Sequence, residues 1–480
     1  MGLKEKTVNS IKWNTVATVV TMVIGVLQVA ILTRLLDKSD FGLIAIASMV
    51  ISFTDIFAEL GITVALIHKQ NITREVYSSV YWLNIGMSII ILGITMIGAP
   101  LVAVFYKEPI LTNIVRLLAL KILFNAFGKM FHTIKTKNLE FGFISKVKIA
   151  TSIVGIVSST AFAYYGFGVM SLVYGQLIQV ITNQCTYAIA GMKQMKVMLH
   201  FSINEVKDVL KIGGFQLGTH ILDFIAARLD VLLIGRFFSM EQLGIYNIAK
   251  DLIIKPYTII NSISSNVFSA AFSKIQDNIQ AVVSNYTKLI KIVSMISVLI
   301  YTIFFIFADL IVAILYAPSF ANVAILLRIM TLMGICSALT SQGAAIMIAK
   351  GRTDLGIQWT VARIIMSTAI LFLTASFGIY YVACGQTVLS VISLFVYFII
   401  VMKPILNINI RQYITMFSGI ILGTILISLP FAIINTLFEL PIYCQVVMGV
   451  LYVVLYYLYL RRFNRAELDE VIKNVIPHKS

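Results

Sequence analysis

The chain is organised as long apolar stretches separated by short polar links. Apolar blocks of about 20 residues recur between Trp13 and Leu460, and the runs are continuous, as at 89–92 and 420–422. A helix of about 20 residues spans the hydrocarbon core of a bilayer, whereas strands of a membrane barrel alternate apolar and polar residues over about ten positions. The pattern therefore predicts an all-α, polytopic membrane protein.

The length of a membrane-spanning helix predicts about 14 transmembrane helices. We divide the chain into an N-terminal lobe with helices 1–6 (1–200), a C-terminal lobe with helices 7–12 (201–402), and two additional helices with a basic cytoplasmic tail (403–480). The predicted spans are 12–35, 41–67, 77–104, 110–132, 147–166, 168–190, 209–236, 242–269, 287–315, 322–348, 356–377, 379–402, 411–434 and 442–460.

Composition supports the same class. Hydrophobic residues make up 59% of the chain and charged residues only 12%, about half the charged fraction of a soluble domain. A surface this poor in charge cannot face water over most of its area, so the composition excludes a soluble enzyme.

The basic residues indicate the orientation of the chain. If the N-terminus is cytoplasmic, 26 Lys and Arg fall in cytoplasmic segments and four fall outside, namely Arg34, Lys38, Lys107 and Arg236. This positive-inside bias predicts that both termini are cytoplasmic. The basic residues in the cytoplasmic segments account for the net charge of +16. We therefore expect contact with anionic membrane lipid and no nucleic-acid partner.

Two segments repeat without gaps at an offset of 202 residues. The segment 34–47 aligns with 236–249, so that Arg34 matches Arg236 and Gly42 matches Gly244. Each segment reads as a helix exit, a short turn and the next helix entry, and the polar residues of the turn can cap the new helix. Those residues are Asp37 or Ser39 in the first copy and Ser239 in the second. A parallel duplication of about six helices predicts two pseudo-symmetric lobes around a central cavity.

These segments resemble the polysaccharide transporter (Wzx-type flippase) family of the multidrug/oligosaccharidyl-lipid/polysaccharide exporter superfamily. The resemblance rests on residues 32–36, 41–42 and 59–61 in the first half and on 230–236 and 243–246 in the second. It is greatest for exporters of the colanic-acid or teichuronic-acid type. It implies flipping of an undecaprenyl-pyrophosphate-linked oligosaccharide from the inner to the outer leaflet, for lipopolysaccharide or exopolysaccharide synthesis. It further implies alternating inward-open and outward-open states, coupling to a cation, and polysaccharide polymerase machinery as a possible partner.

Basic residues inside the predicted spans are candidates for substrate contact, because buried charges need a partner and a pyrophosphate is an anion that Arg and Lys can bind. Arg228 could instead pair with Asp223 or Asp230, and Lys255 with Asp251. Arg328 and Arg363 have no obvious acid nearby in sequence, whereas Arg116 and Lys121 could as well lie at the ends of their helix. The substrate candidates are Arg228, Arg328, Arg363, Lys250 and Lys255.

Acidic and amide side chains form two further candidate groups. The acids could bind Na⁺ or a proton, since burial disfavours a carboxylate charge, or could pair with cations on neighbouring helices. The amides share one helix face, where they could bind sugar hydroxyls or hold helices together. The acids are Asp55, Glu59, Asp223 and Asp230, and the amides in the sixth span are Gln176 and Gln179, followed by Asn183 and Gln184.

The sequence contains no recognisable catalytic motif. We find no metalloprotease, phosphate-binding-loop or serine-hydrolase pattern, and the four cysteines stand singly within apolar runs. We therefore expect no catalytic residue, no metal and no cofactor, apart from possible Na⁺ or H⁺ coupling. Two alternatives remain: a cation-coupled drug exporter of the same superfamily, and a glycosyltransferase or ligase acting on the same lipid carrier. The tyrosines at 452, 456, 457 and 459 are predicted to form an interfacial belt.

Overall fold

The computed structural model describes residues 3–59, 73–193, 195–438, 440–465 and 467–469 of the 480-residue chain. Within these ranges the regular structure is helical and contains no strand. Each of the 14 predicted spans overlaps a helix, although the end of the second span lies outside the described residues. The prediction of an all-α, polytopic membrane protein is therefore confirmed.

The helices are numbered here in chain order. The first eight are α1 (Leu3–Leu32), α2 (Lys38–Glu59), α3 (Arg74–Tyr106), α4 (Leu111–Lys137), α5 (Phe141–Tyr164), α6 (Met170–Met192), α7 (Ile203–Phe237) and α8 (Met240–Ile275). The others are α9 (Ile279–Ile306), α10 (Ala308–Leu315), α11 (Val323–Ser341), α12 (Gly343–Ala349), α13 (Thr353–Ala375), α14 (Ile379–Tyr397), α15 (Lys403–Leu406), α16 (Ile410–Leu437) and α17 (Ile442–Phe463).

Three predicted spans are interrupted helices. The span 287–315 breaks at Phe307, between α9 and α10, and the span 322–348 breaks at Gln342, between α11 and α12. A π-helical turn at Phe398–Met402 separates α14 from α15. Hydropathy does not reveal such breaks, because an interrupted helix is as apolar as a continuous one.

Two short connections turn on glycines whose backbone lies in the left-handed region. Gly166 has φ 80° and Gly168 has φ 55° between α5 and α6, and Gly378 has φ 115° immediately before α14. Glycine adopts such angles without the steric penalty of a Cβ atom. These residues therefore end one helix and redirect the chain within a few positions.

The chain forms two compact units, Met1–Asn247 and Ile248–Ser480. In the first unit, α4 packs against α2, α3 and α6, and α5 packs against α1 and α6. The buried face of α4 repeats every three to four residues, as a helix with one interior side should. Its fully buried residues include Leu111, Ile114, Val115, Leu118 and Ile122.

The second unit is built around α9. This helix packs against α11 and α16, and α11 packs in turn against α14. The predicted lobes, divided at residues 200 and 402, stay a prediction. They are defined by the sequence repeat, whereas the two compact units are defined by which residues are in contact, so the units do not test the lobes.

Ten helical segments are long and apolar enough to cross a membrane, counting only the described residues. The long helices α4, α6, α7 and α8 fall outside this set, and they carry most of the ionisable and amide side chains predicted from the sequence. The polar chemistry of the protein is therefore concentrated on a minority of its helices.

Candidate functional site

A polar seam runs through the interior of the first unit, where α6 meets α4 and α5. Lys121 on α4 donates a hydrogen bond to Oε1 of Gln176 on α6 at 3.1 Å. Lys121 is the eleventh residue of a 27-residue helix, so it lies well inside the span and not at its end. The alternative that placed Lys121 at a helix end is wrong.

Asp55 on α2 acts electrostatically on this lysine. Both side chains are half-buried, and α2 packs against α4. The carboxylate of Asp55 thus has a cation on a neighbouring helix, which was one of its two predicted roles. Glu59 is the last residue of α2, and its side chain lies outside what the structure describes.

The amides of α6 connect it to both neighbouring helices. Gln179 donates to Ser152 at 3.5 Å and Asn183 donates to Thr151 at 3.1 Å, both on α5. On the other side, the Nε2 atom of Gln184 donates to Asn125 of α4 at 3.0 Å. In this conformation the amides hold helices together, and contact of Gln176 and Gln179 with sugar stays a prediction.

The seventh helix carries a second polar group. Asp230 is buried, and its carboxylate accepts hydrogen bonds from the Tyr246 hydroxyl at 2.8 Å and from the Val231 backbone N–H at 2.9 Å. Arg228 is half-buried and Asp223 is exposed. Sequence analysis did not predict the hydrogen bond from Tyr246 to Asp230, because a hydropathy pattern does not distinguish a tyrosine from an apolar residue. The repeat alignment gave no signal either, since Tyr246 corresponds to Ile44.

The remaining cations lie in or beyond α8. Lys250 is buried, and Lys255 is half-buried and interacts with Asp251, as its alternative role predicted. Arg363 is half-buried near the middle of α13.

Arg328 differs from its prediction. It forms an ion pair with Asp309 of α10 and donates from Nε to the Phe305 carbonyl at 3.4 Å. No acid lies near Arg328 in the sequence, but the structure supplies one from 19 residues away, because the break at Phe307 brings α10 against the start of α11. Arg328 is the sixth residue of α11, close to its end, so its charge is met locally.

Two of the four tyrosines near the C-terminus do not form the predicted belt. Tyr452 and Tyr456 are almost fully buried. Their hydroxyls bond to α9, with Thr302 at 2.5 Å and with the Met295 carbonyl at 2.8 Å. Tyr457 is 43% exposed and fits the prediction better. The hydroxyl groups of Tyr452 and Tyr456 thus connect α17 to α9 within the second unit.

Residues 31–325 match the family described as "Polysaccharide biosynthesis protein". Among curated relatives, the chain is 24% identical over 415 residues to the lipopolysaccharide biosynthesis protein WzxC of Escherichia coli K12, covering 86% of this chain and 84% of WzxC. It is also 24% identical over 393 residues to the teichuronic acid biosynthesis protein TuaB of Bacillus subtilis 168, covering 82% and 81% of the two chains.

Solved structures show the same fold. The inward closed conformation of the lipid II flippase MurJ superposes with a TM-score of 0.76 at 14% identity, covering 93% of this chain and 98% of MurJ. The inward-facing conformation of a multidrug resistance MATE family transporter of the MOP superfamily gives a TM-score of 0.64 at 13% identity, covering 79% of this chain and 93% of that transporter. The resemblance to Wzx-type exporters is confirmed, and this multi-pass membrane protein belongs to the polysaccharide biosynthesis family, whose members include transporters of the Wzx type.

Proposed function

We propose that this protein flips an undecaprenyl-pyrophosphate-linked oligosaccharide from the inner to the outer leaflet of a bacterial inner membrane, with both termini in the cytoplasm. The proposal draws on the family match and on relatives named for lipopolysaccharide and teichuronic acid biosynthesis. The protein would act by alternating access and without a catalytic step. Surface polysaccharide assembly would use its product, and polymerase machinery would be a partner.

The observation that carries the proposal is the cation inside the first unit. A pyrophosphate has to pass a region of low dielectric constant, where an unpaired charge is strongly disfavoured. Lys121 holds its ammonium group between the helices and, within the described part of the chain, donates a hydrogen bond to a neutral amide, that of Gln176. An ammonium group in this setting can bind an incoming phosphate oxygen without first breaking an ion pair of hydrogen-bonding length.

Arg228 and Arg363 are further candidates for contact with the anion, since each is half-buried within a long helix. An arginine stays protonated in a protein, so its charge must be met by water, an acid or a ligand. Arg328 has Asp309 as its partner, and we assign it a secondary role near a helix end. Lys250, Lys255, Gln176 and Gln179 would contribute contacts to the pyrophosphate or the sugar.

Cation coupling would use the carboxylates. Asp55 faces Lys121, so uptake of Na⁺ or a proton at Asp55 would change the charge balance seen by the substrate at the same place. Glu59, Asp223 and Asp230 are the other candidates. If coupling is correct, Asp55→Asn reduces the response of transport to an imposed ion gradient more than it reduces the amount of protein.

The experiment is complementation of surface polysaccharide in a strain that lacks this gene, with immunoblots for membrane protein level. Lys121→Gln, Arg228→Gln and Arg363→Gln are expected to lower export at least tenfold at unchanged abundance. The matched controls lie on the same helices: Arg116→Gln on α4 and Lys207→Gln on α7, both exposed in the structure. Normal export in all three test variants would refute the role of the cations.

Two other outcomes would point to different functions. If the gene is dispensable for polysaccharide but its loss sensitises cells to hydrophobic cations, the protein is a drug exporter. If purified protein transfers sugar on the lipid carrier, it is a glycosyltransferase or ligase. Anionic lipid is a further proposed partner, because the basic segments lie next to the predicted cytoplasmic face.

A further inference from the structure

A cavity lies in the second unit between α10 and α11. Its volume is about 340 Å³, within the range of roughly 300–1,000 Å³ that is typical of ligand pockets. The break at Phe307 separates α10 from α9, and a 3₁₀ turn at Pro318–Phe320 leads from α10 back to α11. Phe320 is fully buried, so this turn is anchored in the core of the unit. We call this space the α10–α11 cavity.

The walls of the cavity are mostly apolar and carry small side chains. Four alanines, a valine and a proline line it, and Tyr316 completes the lining with an aromatic side chain that is almost fully buried. The apolar lining residues are Val312, Ala313, Ala317, Pro318, Ala321 and Ala324. Such walls suit a compact ligand with a nonpolar face.

An ion pair lies at the edge of the cavity. Asp309 lines the cavity and is paired through Oδ2 with Arg328 of α11. Arg328 also donates from Nε to the Phe305 carbonyl at 3.4 Å, so its guanidinium group is held from two sides. Within the described part of the chain, Oδ1 of Asp309 makes no hydrogen bond, and the side chain is 63% exposed. The carboxylate can therefore accept a hydrogen bond from a ligand while it stays paired.

The charges around the cavity restrict the class of ligand. The pair of Asp309 and Arg328 is electrically balanced, so it selects neither an anion nor an organic cation. The next acid, Asp251 of α8, acts electrostatically on Tyr316 but has Lys255 as its own partner. The cavity thus offers hydrogen bonds without a net charge.

A neutral sugar ring has both properties that such a site requires. Its C–H face can pack on the alanines, and its hydroxyl groups can donate to the carboxylate and accept from the guanidinium group. A lipid acyl chain would fill the apolar part of the cavity. It would also cover the polar atoms of the ion pair without giving them hydrogen bonds, which is unfavourable.

We propose that the α10–α11 cavity binds one neutral sugar residue of the oligosaccharide on the outer side of the membrane. The outer position follows from the predicted topology, in which the connection between the spans 287–315 and 322–348 lies outside. This inference rests on the proposed function and adds to it a site for the sugar, distinct from Lys121, Arg228 and Arg363, which are proposed to contact the pyrophosphate.

The test is binding of the soluble oligosaccharide repeating unit, released from the polysaccharide of the wild-type strain and freed of lipid and pyrophosphate. Its affinity for the purified protein in nanodiscs is measured by calorimetry. Ala313→Trp and Ala321→Trp fill the cavity and should lower the affinity at least tenfold. Ser319→Trp is the matched control, because Ser319 is exposed in the same connection and does not line the cavity. No binding to the wild type, or equal affinity in all variants, overturns the proposal.

Thermal unfolding identifies a variant that has lost its fold. If either tryptophan lowers the unfolding midpoint, Ala321→Leu takes its place, because it adds less volume. Asp309→Asn keeps the shape of the cavity and should still weaken sugar binding several-fold, since an amide oxygen accepts more weakly than a carboxylate. An unchanged affinity for Asp309→Asn together with a folded, sugar-binding Ala321→Leu contradicts the proposal.

Other ligands are tested on the same proteins. If the filled variants lose binding of tetraphenylphosphonium, a hydrophobic cation, but keep that of the oligosaccharide, the cavity is not a sugar site. Complementation separates the two hypotheses. Normal polysaccharide in cells that lack the gene contradicts the proposed function, even where sugar binding depends on the cavity. Normal export and normal sugar binding in both filled variants contradict the cavity site alone.

Discussion

At the residue scale, the ionisable side chains within the helices are held in different ways, and this decides what each can contribute. Asp230 is bonded to a phenol and a backbone amide, and Arg328 is bonded to an acid. Lys121 is bonded to a neutral amide. Lys121 therefore differs from the other two in having a neutral hydrogen-bond partner, with the Asp55 carboxylate acting on it from a neighbouring helix.

Tyr246→Phe tests whether the Asp230 contact is structural. The change leaves a buried carboxylate without one donor, so we expect it to lower the free energy of unfolding by about 1–3 kcal/mol. Thermal unfolding of the purified protein in detergent measures this, with Tyr443→Phe as the control because Tyr443 is 71% exposed. Identical unfolding curves for the two variants would show that the bond contributes nothing to stability.

At the scale of elements, α17 depends on a few polar bonds to α9. Its outward side is apolar and exposed, as at Val446, Val447 and Val450, which suits lipid. Tyr452 and Tyr456 bond to α9. Lipid gives no hydrophobic force that would press a helix onto its neighbours. These hydroxyl bonds and close packing therefore hold the helix in place.

Tyr456→Phe is expected to destabilise the second unit by about 1 kcal/mol, because the buried hydroxyl bond to the Met295 carbonyl is lost. Tyr457→Phe is the matched control on the same helix, since Tyr457 is 43% exposed. The midpoint of thermal unfolding should fall for the first variant only. Equal midpoints would mean that packing alone holds α17.

A second element contact lies just beyond α17 and depends on pH. Burial, the largest single influence, acts to raise the pKa of Glu467. The hydrogen bond from Lys291 at 2.6 Å, a backbone hydrogen bond and the positive charges of Lys291 and Lys288 together outweigh it and hold the pKa below its ordinary value of 4.5. A carboxylate with a lowered pKa stabilises the fold fully above the pKa of the unfolded chain, and this stabilisation is lost as pH falls through the folded pKa.

We therefore expect Glu467→Gln to lower stability at pH 7 but to have little effect once the pH is well below 4.5. Thermal unfolding of wild type and variant across this pH range makes the comparison. A difference between the two proteins that stays constant from neutral to acid pH would contradict the assigned role of the Lys291 contact.

At the scale of the whole molecule, topology and internal duplication organise the chain. The distribution of basic residues predicts which side of the membrane each loop faces. The repeat at an offset of 202 residues predicts that equivalent helices of the two halves cross the membrane in the same direction. The matched starts of α2 and α8 agree with the duplication.

Reporter fusions test the topology where the prediction is sharpest. Lys107 and Lys137 lie at opposite ends of α4, so reporters placed after them should appear on opposite sides of the membrane. Lys107 is expected outside and Lys137 inside. If both reporters work in the same compartment, α4 does not cross the membrane and the cytoplasmic assignment of the termini must change.

The sequence by itself determined the membrane class, the helix positions, the repeat and the family. Hydropathy and charge bias are local properties, and a helix in lipid forms all its backbone hydrogen bonds within itself, without help from distant residues. For this reason spans such as 110–132 and 442–460 overlap α4 and α17 closely. The polar face of α6 was also readable, because helical spacing brings residues together within one element.

Only the tertiary structure decided which polar groups meet. The contacts of Lys121 with Gln176, of Arg328 with Asp309 and of Tyr246 with Asp230 join different helices. Helix packing sets such pairs, and no local pattern encodes it. The break at Phe307 is equally hidden, and it gives Arg328 a partner that sequence spacing did not suggest. The repeat shows the limit most clearly: the sequence aligned Gly42 with Gly244, but only the folded chain brought the two turns into contact.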